Sequence, residues 1–258
     1  MTKYALITGT TSGIGKAMAE KFAQEQINLI VVSQDKQKLN RQAETLSDTY
    51  DIKVSVIAAD LAQTGAAHMV YEKVKQLGIK VQYLINNAGF NEYGAFLETD
   101  LEKEVDMITL HIIFTTEMMK LFVPDMVENN YGRVLNLGST GSFMACPNDS
   151  VYSATKAYIL SVSKGIGAEL KGTGVTITTL CPGATNTEFA RKAGMEKTLL
   201  FKLFVMNPEK VASIGYKALM RGKTYAIAGV YNKLLVFSSK ITPQFILNPM
   251  TKAMLKPN

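Results

Sequence analysis

TGTTSGIG, residues 8–15, follows the apolar run YALIT and runs straight into the helical pattern GKAMAEKFAQ. Glycines at a strand-to-helix bend let the backbone approach a pyrophosphate, whose charge the helix N-terminus meets. Gly9, Gly13 and Gly15 keep a TGxxxGIG spacing rather than the commoner GxGxxG, with Thr11, Ser12 and Ile14 between them. A purely structural turn uses the same residue types. The strand before and the helix after favour a dinucleotide.

Outward from this turn, short Val/Ile-rich runs recur at 28–33, 53–60, 81–89, 133–139, 175–183 and 224–229, with helical periodicity between them. Seven strands counting the first, not cleanly alternating, imply a mostly parallel sheet buried on both faces. The expected fold is α/β: one doubly wound domain over residues 1–258, a seven-stranded sheet flanked by helices. The rhythm breaks only at 186–210, a variable segment, and a basic apolar tail covers about 231–258.

With 258 residues, 47% hydrophobic and 19% charged, the chain supports one substantial core and is neither disordered nor fibrous. Its net +6 is uneven: residues 210–258 hold eight Lys/Arg and no Asp/Glu, leaving 1–209 at a formal −2. No reading motif or long basic run supports nucleic-acid binding. Two cysteines, Cys146 and Cys181, cannot build a multi-bridge framework, and nothing before Tyr4 has the layout of a secretion signal, so a cytoplasmic setting is expected. No apolar stretch approaches the roughly 20 residues of a membrane span. His68 and His111 are weak material for zinc, which takes about four ligands, and no metal is expected.

The ends of the later strands carry polar groups at the sheet edge where open α/β folds bind ligands. Asp60, followed by Leu61, can accept from an adenine amino group or cap the next helix. Asn87, Ala88 and Gly89 can offer backbone to a cofactor or form turns. After the second strand come Ser33, Gln34, Asp35 and Lys36, with neither a clear carboxylate for a free ribose nor an arginine for a 2′-phosphate. Asp35 opposes phosphate only if its side chain points inward. NADP is preferred weakly over NAD.

The fifth strand leads to Ser139, and VYSATKAY places Tyr152 and Lys156 four apart, on one helix face. An ammonium beside a phenol favours phenolate, lowering its pKa from about 10. Tyr152 can then exchange a proton with a carbonyl or alcohol oxygen that Ser139 holds. Surface Lys beside packing Tyr is the ordinary meaning of YxxxK; the dinucleotide half and the strand-end serine change it.

Taken in order, TGTTSGIG, the DL at 60–61, NNAG at 86–89, Ser139, YSATK at 152–156 and PG at 182–183 make the chain resemble the short-chain dehydrogenase/reductase family over roughly residues 3–230. That resemblance implies a Rossmann-type fold, Tyr152 as acid/base, Lys156 also on the nicotinamide ribose, and Ser139 positioning substrate. Pro182, Gly183 and Thr185 would join the cofactor set, with Thr187 facing the carboxamide. A homodimer or homotetramer is expected. One position departs: His111 stands where the family usually has Asn, whose backbone helps hold a water near the lysine. His111 is either a structural replacement, since any residue offers that peptide group, or a participant in proton exchange.

FMACP at 143–147 and residues 188–206 are the expected pocket wall and cover. Phe143, Met144, Phe189, Leu199, Leu200, Phe201, Phe204 and Met206 favour an apolar small-molecule substrate, a ketone, alcohol or acyl derivative. Cys146 is read as packing or substrate contact rather than a nucleophile. The tail could cover a subunit contact, meet an anionic membrane as a peripheral helix, or close on its own chain. Against the oxidoreductase stand a noncatalytic dinucleotide sensor, indifferent to Tyr152→Phe, and an epimerase or dehydratase with no net cofactor consumption.

Overall fold

The computed structural model describes residues 3–256; the ends of the expected domain, residues 1, 2, 257 and 258, lie outside the described residues. Seven strands form one sheet: β1 (Tyr4–Thr8), β2 (Asn28–Ser33), β3 (Val54–Ala58), β4 (Tyr83–Asn86), β5 (Gly132–Leu137), β6 (Val175–Cys181) and β7 (Tyr225–Ile227). Their order is β3-β2-β1-β4-β5-β6-β7. Every neighbouring pair is parallel, with Ile7 opposite both Val31 and Ile85. The jump from β1 to β4 reverses the winding and opens a crevice at the strands' carboxyl ends.

Helices α1 (Gly13–Gln24), α2 (Lys36–Tyr50) and α3 (Ala66–Gln76) link the first four strands, and α4 (Leu101–Ile108) and α5 (Thr115–Glu128) lead to β5. α6 (Ser150–Glu169) precedes β6, then come α7 (Glu188–Lys192), α8 (Leu199–Leu203), α9 (Pro208–Met220), and after β7 α10 (Val230–Ile241) and α11 (Gln244–Leu255). Local chemistry sets several starts. Asp35 caps α2 by accepting from Lys38 N at 3.0 Å, Asp100 caps α4, and Asn207 caps α9 with Pro208 at its first position.

Burial on both sheet faces accounts for the weak alternation. Ala5, Ile7, Leu29 and Val31 pack under Met18, Phe22 and Leu39 of α1 and α2, with Val211 and Leu219 of α9. Leu6, Ile30, Leu84 and Val134 pack against Val70 of α3 and Met118 and Phe122 of α5 on the other face. A fully buried Phe22 contributes about 2–3 kcal/mol from area alone.

Between α4 and α5 the chain continues through a π-helical stretch, Thr109–Phe114. The run Leu101–Glu128 is long and apolar enough to cross a membrane by length and composition, and half of its most apolar window is buried in the fold. No unbroken apolar stretch marks it in the sequence, because Thr, His, Glu and Lys interrupt the periodicity; its buried face, Met107, Leu110, Phe114 and Met118, meets the core. Two outer faces stay apolar: Leu97, Leu101 and Val105 around α4, and Val230, Leu234, Phe237 and Ile241 along α10.

Candidate active site

One cavity of about 570 Å³ follows the crevice and is lined from Gly9 to Leu255. Gly9 (φ +70°) and Gly13 (φ +56°) occupy left-handed backbone, and a Cβ on Gly9 would stand 2.8 Å from Ala88 Cα. A Cβ on Gly15 would collide with the Gly9 carbonyl oxygen and the Asn87 amide nitrogen. Ser12 precedes α1 without capping it through its side chain, and no acid lies in the first turn. The first amides of α1 therefore face a concave glycine bend free of negative charge, which fits a dinucleotide pyrophosphate.

All of Thr11, Ser12, Ile14, Ser33, Gln34, Asp60, Leu61, Asn87, Ala88, Gly89, Pro182, Gly183, Thr185 and Thr187 line this cavity. Asp60 reaches the cavity and accepts from Ala62 N at 3.1 Å, a turn contact rather than the expected helix cap, since α3 starts at Ala66 with Gly65 before it. Burial raises its carboxyl, but bonds from Ala62, Gln34 and Gln63 outweigh that and hold it below the usual range. The Asn87 side-chain nitrogen is occupied structurally, donating to Thr8 O at 2.9 Å and Gly9 O at 3.2 Å, its backbone N–H donates to Thr8 Oγ1 at 3.0 Å, and its Oδ1 is buried with no partner among the described residues. Asp35 turns to its own helix, capping α2 and pairing with Lys38 at 3.4 Å. The β2 end of the cavity thus presents Thr11 and Ser33, whose hydroxyls lie 3.3 Å apart, and Gln34, with no carboxylate of its own.

At the other end, Ser139 lies two residues beyond β5, where its Oγ accepts from Gly141 N at 3.1 Å. Tyr152 and Lys156 share a face of α6, with Nζ 5.4 Å from the phenol ring centre. Ser139 and Tyr152 line the cavity, while Lys156 and His111 are buried behind it. Lys156 donates from Nζ to Leu137 O at 3.1 Å, and burial pulls its ammonium down to about 7.

The expected lowering of the Tyr152 pKa is reversed in the chain alone. Burial and then the Asp149 carboxyl push the phenol well above its ordinary value, and Ser139 opposes them only in part. Both ionised partners cost desolvation here, so proximity to a lysine is not enough to create phenolate.

His111 Nδ1 lies 2.8 Å from Thr155 Oγ1, and that hydroxyl donates to Tyr152 O at 2.8 Å. With its one proton so used, Thr155 accepts from Nδ1–H, which fixes the tautomer and leaves Nε2 an acceptor. Nε2 has no partner among the described residues and faces Gly89, where a Cβ would come within 2.6 Å of it. Burial and the nearby Lys156 hold the imidazole far below its usual pKa, hence neutral.

The cover differs in detail from its sequence reading. Met144, Phe189, Leu200 and Phe201 line the cavity, but four expected wall residues do not. Phe143 packs on Tyr225, Phe204 stacks on Tyr231 at 3.6 Å, Met206 is tied by backbone bonds to Ala184 and Asn186, and Leu199 points outward. Their places are taken by residues that periodicity alone did not single out: Met195, and Leu235, Met254 and Leu255 of the tail. The tail's inner faces therefore close on the chain itself, and Tyr93 Oη donates to the Leu255 carbonyl. Cys146 lines the cavity, with burial and Asp149 pushing its thiol up to about 12, so it is no thiolate. Asn91 and Asp149, also on the wall, were missed; the signal for Asp149 was its place one turn before Tyr152.

Comparison with known proteins agrees with this geometry. Residues 3–198 match the family profile described as short chain dehydrogenase. The chain is 36% identical over 186 residues to the uncharacterized oxidoreductase YvrD of Bacillus subtilis (strain 168), covering 72% of this chain and 70% of that one. It is 31% identical over 196 residues to the very-long-chain 3-oxoacyl-CoA reductase of Anas platyrhynchos, covering 73% of this chain but 61% of that protein's length. Among solved structures, a short-chain dehydrogenase from Sphingobium yanoikuyae in complex with NADPH superposes with a TM-score of 0.84 at 28% identity, over 95% of both chains. A 7beta-hydroxysteroid dehydrogenase gives 0.87 at 25% identity, over 96% of both.

Proposed function

The chain belongs to the short-chain dehydrogenase family and is an NAD(P)-dependent oxidoreductase, and from that premise we propose that it interconverts a hydrophobic ketone and its secondary alcohol with Tyr152 as the acid/base. The observation that carries this reading is the single cavity that runs from the glycine bend past Ser139 and Tyr152 into an apolar enclosure of Phe189, Met195, Leu200, Phe201 and Met254. A bound nicotinamide supplies or takes the hydride. Ser139 holds the substrate oxygen by its hydroxyl, and Tyr152 gives that oxygen a proton in reduction or removes one in oxidation. A phenol held above its ordinary pKa stays protonated at neutral pH, which suits reduction.

NADP is the preferred cofactor in this reading. Its support is the neutral pocket of Thr11, Ser33 and Gln34 at the β2 end, the diversion of Asp35 into helix capping, and the NADPH held by the Sphingobium relative. Lys156 and His111 act from behind the cavity wall: the lysine holds the α6 face against Leu137, and His111 pins the Tyr152 turn through Thr155. His111 is a positioning residue here, not a substitute acid. His111→Asn then lowers turnover by less than about tenfold, the scale of one buried hydrogen bond, and keeps the pH profile and solvent isotope effect; complete loss with an intact fold would overturn that role. The exposed row Leu97, Leu101 and Val105 supports a second copy of the chain as its occupant, which sedimentation would reveal as a dimer or tetramer.

The test is cofactor oxidation against a panel of bulky ketones, run separately with NADPH and NADH, with Tyr152→Phe as control. Turnover that prefers NADPH and vanishes in the control is expected. Binding of NADPH with no turnover of any carbonyl would point instead to a dinucleotide sensor.

A further inference from the structure

Beyond Tyr152 the cavity wall carries one buried carboxyl that the chemistry above leaves idle. Asp149 stands three residues before Tyr152, on the face of α6 that meets the cavity, and is 7% exposed. It occupies the N-cap position, where an aspartate ordinarily accepts from the first free amides of the helix. This one makes no such bond. The helix start forgoes its usual stabilisation, and the carboxyl is spent elsewhere.

The surrounding loops hold it there. Asn148 adopts a left-handed backbone with φ +67°, Asp149 N donates to Cys146 O at 2.9 Å, and Gly94 N donates to Asn148 O at 3.0 Å. The first bond closes a turn within the loop before α6, and the second ties that loop to the loop after β4. Across the tie, Asn91 Nδ2 donates to Asp149 Oδ1 at 2.7 Å and contacts Met195 Sδ at 3.3 Å. Asn91, also 7% exposed, keeps an Oδ1 with no partner among the described residues. A buried acid and a buried amide oxygen cost desolvation that apolar side chains of similar size would not.

We propose that Asp149 and Asn91 form a polar subsite beside Tyr152 for a substrate bearing a hydrogen-bond donor, a hydroxyl or an amine, on carbon next to the reacting carbonyl. The separation fits, because side chains one helical turn apart stand about 5–6 Å from each other at Cβ. So does the sign of the chemistry: a carboxylate oxygen and an amide oxygen both accept, and both ask for a donor. Met144, Phe189 and Met195 offer the rest of such a molecule apolar contact and no competing donor. Burial pushes the Asp149 carboxyl up to about 7, the mark of a group short of donors until one arrives. The inference rests on the oxidoreductase reading and narrows its substrate to hydroxyketones or aminoketones.

Acetophenone, α-hydroxyacetophenone and α-aminoacetophenone, each with NADPH and the full chain, test it through the ratio of kcat/KM for the substituted ketone to that for the parent. Asp149→Leu should lower the ratio about tenfold or more, since it strands the substrate's donor in apolar surroundings. Asp149→Asn keeps an acceptor oxygen without the charge. If a hydroxyl is the natural group, its ratio survives in Asp149→Asn; if an amine is, its ratio falls there as in Asp149→Leu. Asn91→Leu, which leaves the carboxyl in place, should lower the same ratio and decides the matter should Asp149→Leu fail to fold. Ratios within twofold of the wild type in the folded variants would overturn the subsite while leaving ketone reduction standing. NADPH binding without turnover of any of the three ketones would overturn the reading beneath it as well.

Discussion

The two ends of the cavity are built by different means. At the cofactor end the wall is built around glycine- and alanine-rich backbone with a few short polar side chains, delivered just beyond β1, β2, β3, β4 and β6 at positions the sheet register fixes. At the substrate end it is side chains, carried on short helices and loops from three distant parts of the chain, residues 90–92, 144–149 and 187–201, and closed by α10 and α11. A wall of backbone tolerates few substitutions and leaves fixed spacings in the sequence. A wall of side chains is free to change and leaves only composition. The first end says which class of cofactor is bound; the second is where one substrate is told from another.

The sharpest break of this contrast falls where the ends meet. Tyr152→Phe keeps the ring and removes the proton, so turnover should fall by about 10²–10⁴ while cofactor affinity, measured by fluorescence titration, stays put. A loss of cofactor binding would mean that Tyr152 belongs to the first end rather than the junction.

Asp149 gives the next largest effect, read as stability. Burial raises its carboxyl from 3.8 to about 7 on folding, and the hydrogen bond from Asn91 offsets only part of that rise. A raised folded pKa contributes stability that is complete below the unfolded value and lost as pH climbs through the folded one. The loss is at most about 4 kcal/mol across this window. Denaturation of Asp149→Asn between pH 4 and 7 should therefore vary less than that of the wild type; parallel curves would disprove the burial described.

Gly15→Ala tests the backbone wall directly. The added methyl meets the Gly9 carbonyl, and relief by backbone movement costs about 1–3 kcal/mol. NADPH should bind at least about tenfold more weakly, with little change in relative preference among ketones. Phe201→Ala does the reverse and least: KM for a bulky ketone rises about tenfold as a cavity contact is lost, while the cofactor constant is unmoved. Equal effects of both variants on both ligands would erase the distinction between the ends.

That same difference decided what could be read from residues alone. Seven strands and the turn at residues 8–15 were legible because strand runs and glycine bends obey local rules; each strand starts within two residues of its expected place, and only β4 ends as much as three residues early. That Ser139, Tyr152 and the residues around the glycine bend meet at one cavity was legible because they sit at strand ends or helical spacing. The cover was not. Phe143 and Phe204 look like pocket residues by composition, yet one turns to Tyr225 and the other to Tyr231. Met254 and Leu255 reach the cavity only because α11 folds back over more than 100 residues of intervening chain onto Tyr93. The direction of the Tyr152 shift was missed for a related reason: spacing brings a lysine near, but only the packed interior sets what its charge costs.

The π-helical stretch Thr109–Phe114 has a hereditary side. A π turn holds an extra residue relative to an α turn, so α4 and α5 form one rod written in two reading frames. Deleting one residue from TLHIIF would restore a continuous α-helix with α4 and α5 still in phase, because the wider turn has already absorbed the extra residue. The row Leu101 and Val105 would keep its direction, and the change would fall on the stretch itself, where His111 or its successor would lose its place beneath Gly89. A single lost codon would thus rewrite an active-site support while leaving the outer surface and the sheet untouched.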